Sequence, residues 1–168
     1  MAEFTDALNR VLAAEGGMVL TNDPDDRGGQ TYAGIARRSW PKWEGWYHID
    51  KGDPVPERLV NDFYRNNFWF PIHGDEIKNQ RIATSLFSFA VNAGVSAAVR
   101  RAQEAACVAA DGVIGKLTIF ALNSIDPELF LARFALAKVA KYRDICTKDR
   151  SQLKYILGWL NRTLEDAK

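Results

Sequence analysis

Glu15 is the residue whose type and placement most invite chemistry. It lies four positions after Val11 and three after Leu12, so on a helix it would share their apolar face. Gly16 and Gly17 follow at once and read as the end of that helix. Glu15 then falls in a last turn, where exposed carbonyls disfavour negative charge. Both placements penalise the carboxylate and are expected to raise its pKa. A local rule broken without visible compensation marks a functional site; the plainer alternative is a solvated Glu on a helix that stops early. A carboxyl kept protonated suits glycoside hydrolysis, in which it gives its proton to the leaving oxygen. That reaction calls for a second carboxylate, and Asp23, Asp25 and Asp26 follow within one loop, with Thr31 able to orient a water. Asp beside Pro and Gly also makes turns, the preferred reading of Asp23 and Asp25. A calcium loop fits poorly, because Arg27 stands at its fifth position and Gly34 at its twelfth.

Other chemistries are under-supplied. His48 and His73 are the two histidines and no His-Glu-x-x-His occurs, so a zinc amidase or peptidase lacks ligands and no metal or other cofactor is expected. Cys107 and Cys146 form no Cys-x-x-Cys pair and fall in helix-like segments, where they read as small buried hydrophobes and not as nucleophiles. Sugar rings would need aromatic faces and amides. Tyr32, Trp43, Trp46, Trp69 and Asn92 are the candidates, with packing between helices an equal use for Trp69 and core packing the use for Trp159. Arg37-Arg38 and Arg100-Arg101 suit either an anionic polymer or solvent.

The 168 residues, 47% apolar and 26% charged, describe a globule able to bury a real core. A net charge of +1 gives no reason to expect a nucleic-acid partner. The first residues lack the basic start and apolar run of a signal peptide, so synthesis in the cytoplasm is expected. Residues 82–99 carry no charge but include Thr84, Ser85, Ser88, Asn92 and Ser96, which favours a buried central helix over a membrane span.

The elements that must position these groups are mostly helices. Phe4, Leu8, Val11 and Leu12 recur at helical spacing with Thr5 as a candidate N-cap. Residues 18–32 read as a loop or short hairpin, 33–40 as a short helix stopped by Pro41, and 40–56 as an irregular loop. A helix opens behind Pro56, the uncharged one covers 82–92, and Ser96 is expected to cap another running to about residue 110. Residues 111–115 form a tight turn and 118–122 a short helical piece. Asp126-Pro127-Glu128 is a helix start, the helix reaching about residue 145, and a last helix covers 151–164. More than half the chain is expected in helices, with any sheet confined to 18–32.

These residues also carry a resemblance. Glu15-Gly-Gly17, Asn22-Asp-Pro24, Asp26-Arg-Gly-Gly-Gln-Thr31 and Gly34-Ile35 resemble the signature of glycoside hydrolase family 108. So do Phe63-Tyr-Arg-Asn-Asn-Phe-Trp69 and Phe89-Ala-Val-Asn-Ala-Gly94, while Asp111-Gly112, Gly115, Thr118 and Gly158-Trp-Leu-Asn-Arg162 resemble the family's C-terminal peptidoglycan-binding region. The resemblance implies a mainly α, lysozyme-like fold, with a catalytic region in 1–95 and a peptidoglycan-binding-like region in 96–168 packed on it. It implies a phage or prophage endolysin, an N-acetylmuramidase with Glu15 as acid and Asp26 and Thr31 where lysozyme relatives keep a carboxylate and a hydroxyl. Peptidoglycan strands would be its partner, a holin or other route its exit, the periplasm or wall its place of action, and the monomer its state. Two departures stand out: Ser88 where an acid is expected, and Ala102 where Leu is expected. The rival readings are a wall amidase or peptidase, and a non-catalytic peptidoglycan-binding or secretion-assisting protein.

Overall fold

The computed structural model describes residues 1–14, 16–22 and 29–167. Helices take 67% of them, which settles the class as mainly α. The chain forms two compact units, Leu8–Asn67 and Met1–Ala7 with Phe68–Lys168.

In the Leu8–Asn67 unit, α1 (Phe4–Ala14) buries Leu8, Val11 and Leu12 at helical spacing. It begins at Phe4, one residue before the expected cap at Thr5, a shift within the usual fraying of helix ends. Three short antiparallel strands follow: β1 (Leu20–Asn22), β2 (Gln30–Tyr32) and β3 (Ile35–Ala36). β3 corrects two expectations, because the sheet passes residue 32 and no helix forms at 33–40. The cause is a two-residue hairpin: Ala33 and Gly34 have φ of 51° and 78°, and Tyr32 pairs with Ile35 across them. Positive φ at both central positions is the turn whose twist matches paired strands. Glycine accepts it freely and alanine does not. The Ala33 carbonyl accepts the buried Tyr64 hydroxyl at 2.7 Å, a distant contact that favours the turn. A second correction falls in 40–56, where α2 (Gly45–Lys51) replaces the expected loop. Its roughly two turns hide in sequence among Trp, Gly and Pro. α3 (Glu57–Tyr64) opens behind Pro56 as expected, burying Leu59, Val60, Phe63 and Tyr64.

A π-helical turn at Arg65–Trp69 carries the chain out of that unit, and in the other a 3-10 turn at Gly74–Glu76 leads to α4 (Gln80–Ala93). The Asn79 side chain caps α4 by accepting the Ile82 amide at 3.1 Å. Residues 82–90 of α4 are all buried, so the uncharged stretch is the core helix. α5 (Val95–Ala105) is capped by Gly94, with Ser96 inside it, and ends five residues short of the expected 110. The turn that ends it puts Cys107 at φ 58° and in solvent, whereas Cys146 is buried; Cys107 is therefore not the buried hydrophobe expected. Next come α6 (Lys116–Ser124) and α7 (Pro127–Lys148). Asp126 caps α7 as read, its carboxylate accepting the Leu129 amide at 2.8 Å. A 3-10 turn, Arg150–Tyr155, precedes α8 (Ile156–Asp166). Among the described residues no helix is long and apolar enough to cross a membrane.

Candidate active site

Glu15 and Asp26 lie outside the described residues, as do Asp23 and Asp25. The helix before Glu15 closes where expected, the Gly17 amide donating to the Leu12 carbonyl at 2.8 Å. Thr31 sits at the centre of β2, paired with Thr21 on one side and Ala36 on the other. Its carbonyl accepts the Thr21 hydroxyl at 3.3 Å, and its own hydroxyl reaches the Gly29 carbonyl only at 3.5 Å. That long contact leaves a partly exposed oxygen able to take a water.

Tyr32, next in the strand, faces an aromatic cluster drawn from three parts of the unit. Its ring stacks on Trp43 with centroids 6.0 Å apart and an interplanar angle of 27°. Trp43 meets Trp46 edge-on at 5.2 Å, and its indole N–H donates to the Leu59 carbonyl at 3.2 Å. Trp40 stands edge-on to Phe63 at 4.9 Å. Such tilted contacts suit the ring quadrupoles and fix the orientation of each ring.

Exposure sorts the candidates. Tyr32 and Trp43 are half-buried, leaving part of each ring to solvent. Trp46 is 3% exposed and donates its N–H to the Trp40 carbonyl at 2.8 Å, so it is a buttress and no sugar reaches its face. Trp69, 0% exposed, is likewise a correction: Phe4 and Phe87 pack on it at 5.6 and 5.5 Å, and Asp75 takes its N–H at 2.8 Å. Asn92 is exposed, but both ends of its amide are engaged. Its NH2 donates to the Ser88 carbonyl at 2.8 Å and its oxygen accepts from Arg162, an α4–α8 tie that competes with any acetamido group. Trp159 is half-exposed and stacks on Tyr142 at 5.1 Å. Trp40 carries no role in the sequence reading, yet 38% of it is exposed beside Trp43; its place in a Trp- and Pro-rich tract was the only signal.

The charges nearby are largely committed. Arg37 grips both oxygens of Asp50 at 2.7 and 2.6 Å, donates to Gln30 at 2.8 Å, and lies 5.1 Å over the Trp46 ring. The hydrogen bonds from Arg37 hold the Asp50 carboxyl below its ordinary value. Arg37 thus braces β2 against α2. Among the described residues no three His, Cys, Asp or Glu side chains cluster as a metal would require.

Residues 8–94 match the model of the family described as Glycosyl hydrolase 108. The chain belongs to that family. It is a glycoside hydrolase, and residues 97–164 of the hydrolase match a second model, described as Predicted Peptidoglycan domain. The two matches together make peptidoglycan its polymer. A structure of Brucella abortus SagA shares the hydrolase's fold at a TM-score of 0.72 and 24% identity, covering 98% of this chain and 95% of that one. No curated protein matches it.

Proposed function

We propose that this hydrolase is a muramidase, cleaving the β-1,4 bond between N-acetylmuramic acid and N-acetylglucosamine with Glu15 as general acid. The observation that carries the proposal is the catalytic-family match over residues 8–94, a span that includes Glu15, Asp26 and Thr31. A protonated Glu15 gives its proton to the glycosidic oxygen as the sugar bond breaks and positive charge grows at the anomeric carbon. Asp26 supplies the second carboxylate and Thr31 orients the water that completes hydrolysis. Tyr32 and Trp43 offer faces to the sugar. Trp46, Trp69 and Asn92 support the surrounding structure. We divide the labour near residue 95, with 1–95 catalytic and 96–168 holding the wall, in line with family matches that meet between 94 and 97. The enzyme needs no cofactor, works as a monomer in the periplasm or wall, and reaches it through a holin or another export route.

The test is Glu15→Gln. The amide keeps the shape of a protonated carboxyl but cannot give up a proton. Reducing-sugar release from purified peptidoglycan is expected to fall by about 10² to 10⁴, the usual worth of general acid catalysis, with an unchanged melt. Near wild-type release would remove Glu15 from the role. Free amines in place of reducing sugars would reveal an amidase, and neither product a binding protein.

A further inference from the structure

We infer that the groove between residues 39–44 and α3 is a saccharide subsite that seats a stretch of β-1,4-linked N-acetylhexosamine. The inference rests on the reading of the enzyme as a muramidase and extends it to side chains beyond Glu15, Asp26 and Thr31. The groove encloses about 530 Å³, within the range of small-ligand sites. Its two walls differ in kind. One is aromatic, formed by Trp40 and Trp43 over a floor that includes Phe63. The other is polar: Arg58, Asp62 and Asn66 stand at four-residue intervals along α3 and the turn after it, all exposed.

The aromatic wall is rigid. Trp43 is fixed by its hydrogen bond to Leu59 and its edge contact with Trp46. Its ring also packs close against Gly45, where an added Cβ would come within 2.2 Å of the indole. Only glycine admits the ring there. Asn66 belongs to the π-helical turn at Arg65–Trp69, a geometry frequent at functional sites. Beside it the Asn67 side chain donates to the Phe63 carbonyl at 2.8 Å.

Two indoles set among polar and charged side chains match a flat ligand with an apolar face and a hydrophilic rim. A pyranose ring is such a ligand, its C–H face for indole and its hydroxyl and acetamido groups for carboxylate and amide. An amphipathic helix would need a wider apolar floor. A phosphate ligand would be met by cations alone, whereas Glu44 and Asp62 line the groove along with Lys42 and Arg58. The Tyr32–Trp43 stack joins the groove to the strand that carries Thr31, so a bound strand has a continuous aromatic track toward β2.

The test uses the full chain and a β-1,4 N-acetylglucosamine tetramer as probe, followed by calorimetry and tryptophan fluorescence. Glu15→Gln is expected to bind the tetramer as the parent does, and Trp40→Ala to weaken binding about tenfold or more. On purified peptidoglycan Trp40→Ala should raise KM more than it lowers kcat, the mark of lost ground-state binding. Trp40 also packs on Phe63, so Asp62→Ala in α3 and Asn66→Ala in the turn after it, both exposed, serve as variants that spare the core. Each is expected to weaken the tetramer about threefold or more. No tetramer binding by the parent, or equal binding by all three variants, overturns the subsite. Wall cleavage with unchanged KM in all three would sink the subsite and leave the muramidase standing. Trp40-dependent tetramer binding without any wall cleavage would do the reverse.

Discussion

Among the described residues Lys138 is the one charged side chain that is buried, and removing its partner should show the cost. The residue is 1% exposed in mid-α7. Its ammonium donates to Asp166 at 2.7 Å and to Ser85 at 2.9 Å, and it lies 4.7 Å from the Phe134 ring centroid. Burial is the largest influence on it and pushes its pKa down, with the Asp166 charge and hydrogen bond pulling back up. Asp166→Ala leaves a cation with the Ser85 oxygen and the Phe89 and Phe134 rings for solvation. Breaking a buried pair from one side costs about 3–5 kcal/mol. At roughly 2–4 °C per kcal/mol for a chain of this size, the melting temperature should drop by about 6 to 20 °C. Lys138→Met should fall within about 1 kcal/mol of the parent, since it removes the desolvation cost together with the attraction and leaves Asp166 partly exposed to water. The sign with pH follows. A lysine whose folded pKa lies below 10.5 binds fewer protons folded than unfolded. Between the folded pKa and 10.5 the parent should therefore gain stability over Lys138→Met as pH rises. The assay is circular dichroism melting of the three proteins. If Asp166→Ala melts with the parent, or Lys138→Met melts as low as Asp166→Ala, Asp166 is not what offsets the buried charge.

Two further predictions also concern stability. Asp111 accepts the Val113 amide at 2.9 Å and the Gln103 side chain at 2.8 Å, bonds that hold its carboxyl below 3.8. Its contribution is present above 3.8 and fades as pH falls through the folded value, so Asp111→Asn should lose less stability than the parent between pH 5 and 2, and parallel curves would refute this. Tyr64→Phe removes the hydroxyl that serves the Ala33 carbonyl and should lower the unfolding free energy by about 1–3 kcal/mol, read as a lower urea midpoint with an unchanged slope. Its wall cleavage should drop as well, because the same hairpin carries Thr31 and Tyr32; full stability would show that the turn stands alone.

Much of the helical frame was legible in residue types alone. The α7 start was written in Asp126-Pro127-Glu128, the α1 face in Leu8, Val11 and Leu12, and the core helix in the absence of charge over 82–92. These signals are local, since caps and periodicity act within a few residues. Glu15 stood out for the same reason, as a carboxylate at odds with its near neighbours.

What tertiary structure decided lay where distant groups set the outcome. The β2–β3 hairpin occupies a stretch that reads as helix, and its Ala33 carbonyl meets a hydroxyl thirty-one residues away. α2 is braced by Arg37 through Asp50, a pairing no periodicity foretells. The tryptophans make the point most sharply. Trp40, Trp46 and Trp69 are the same side chain, yet they are 38%, 3% and 0% exposed. Residue type supplies a ring with an apolar face; whether that face meets a sugar, a glycine or another ring depends on what the rest of the chain folds against it.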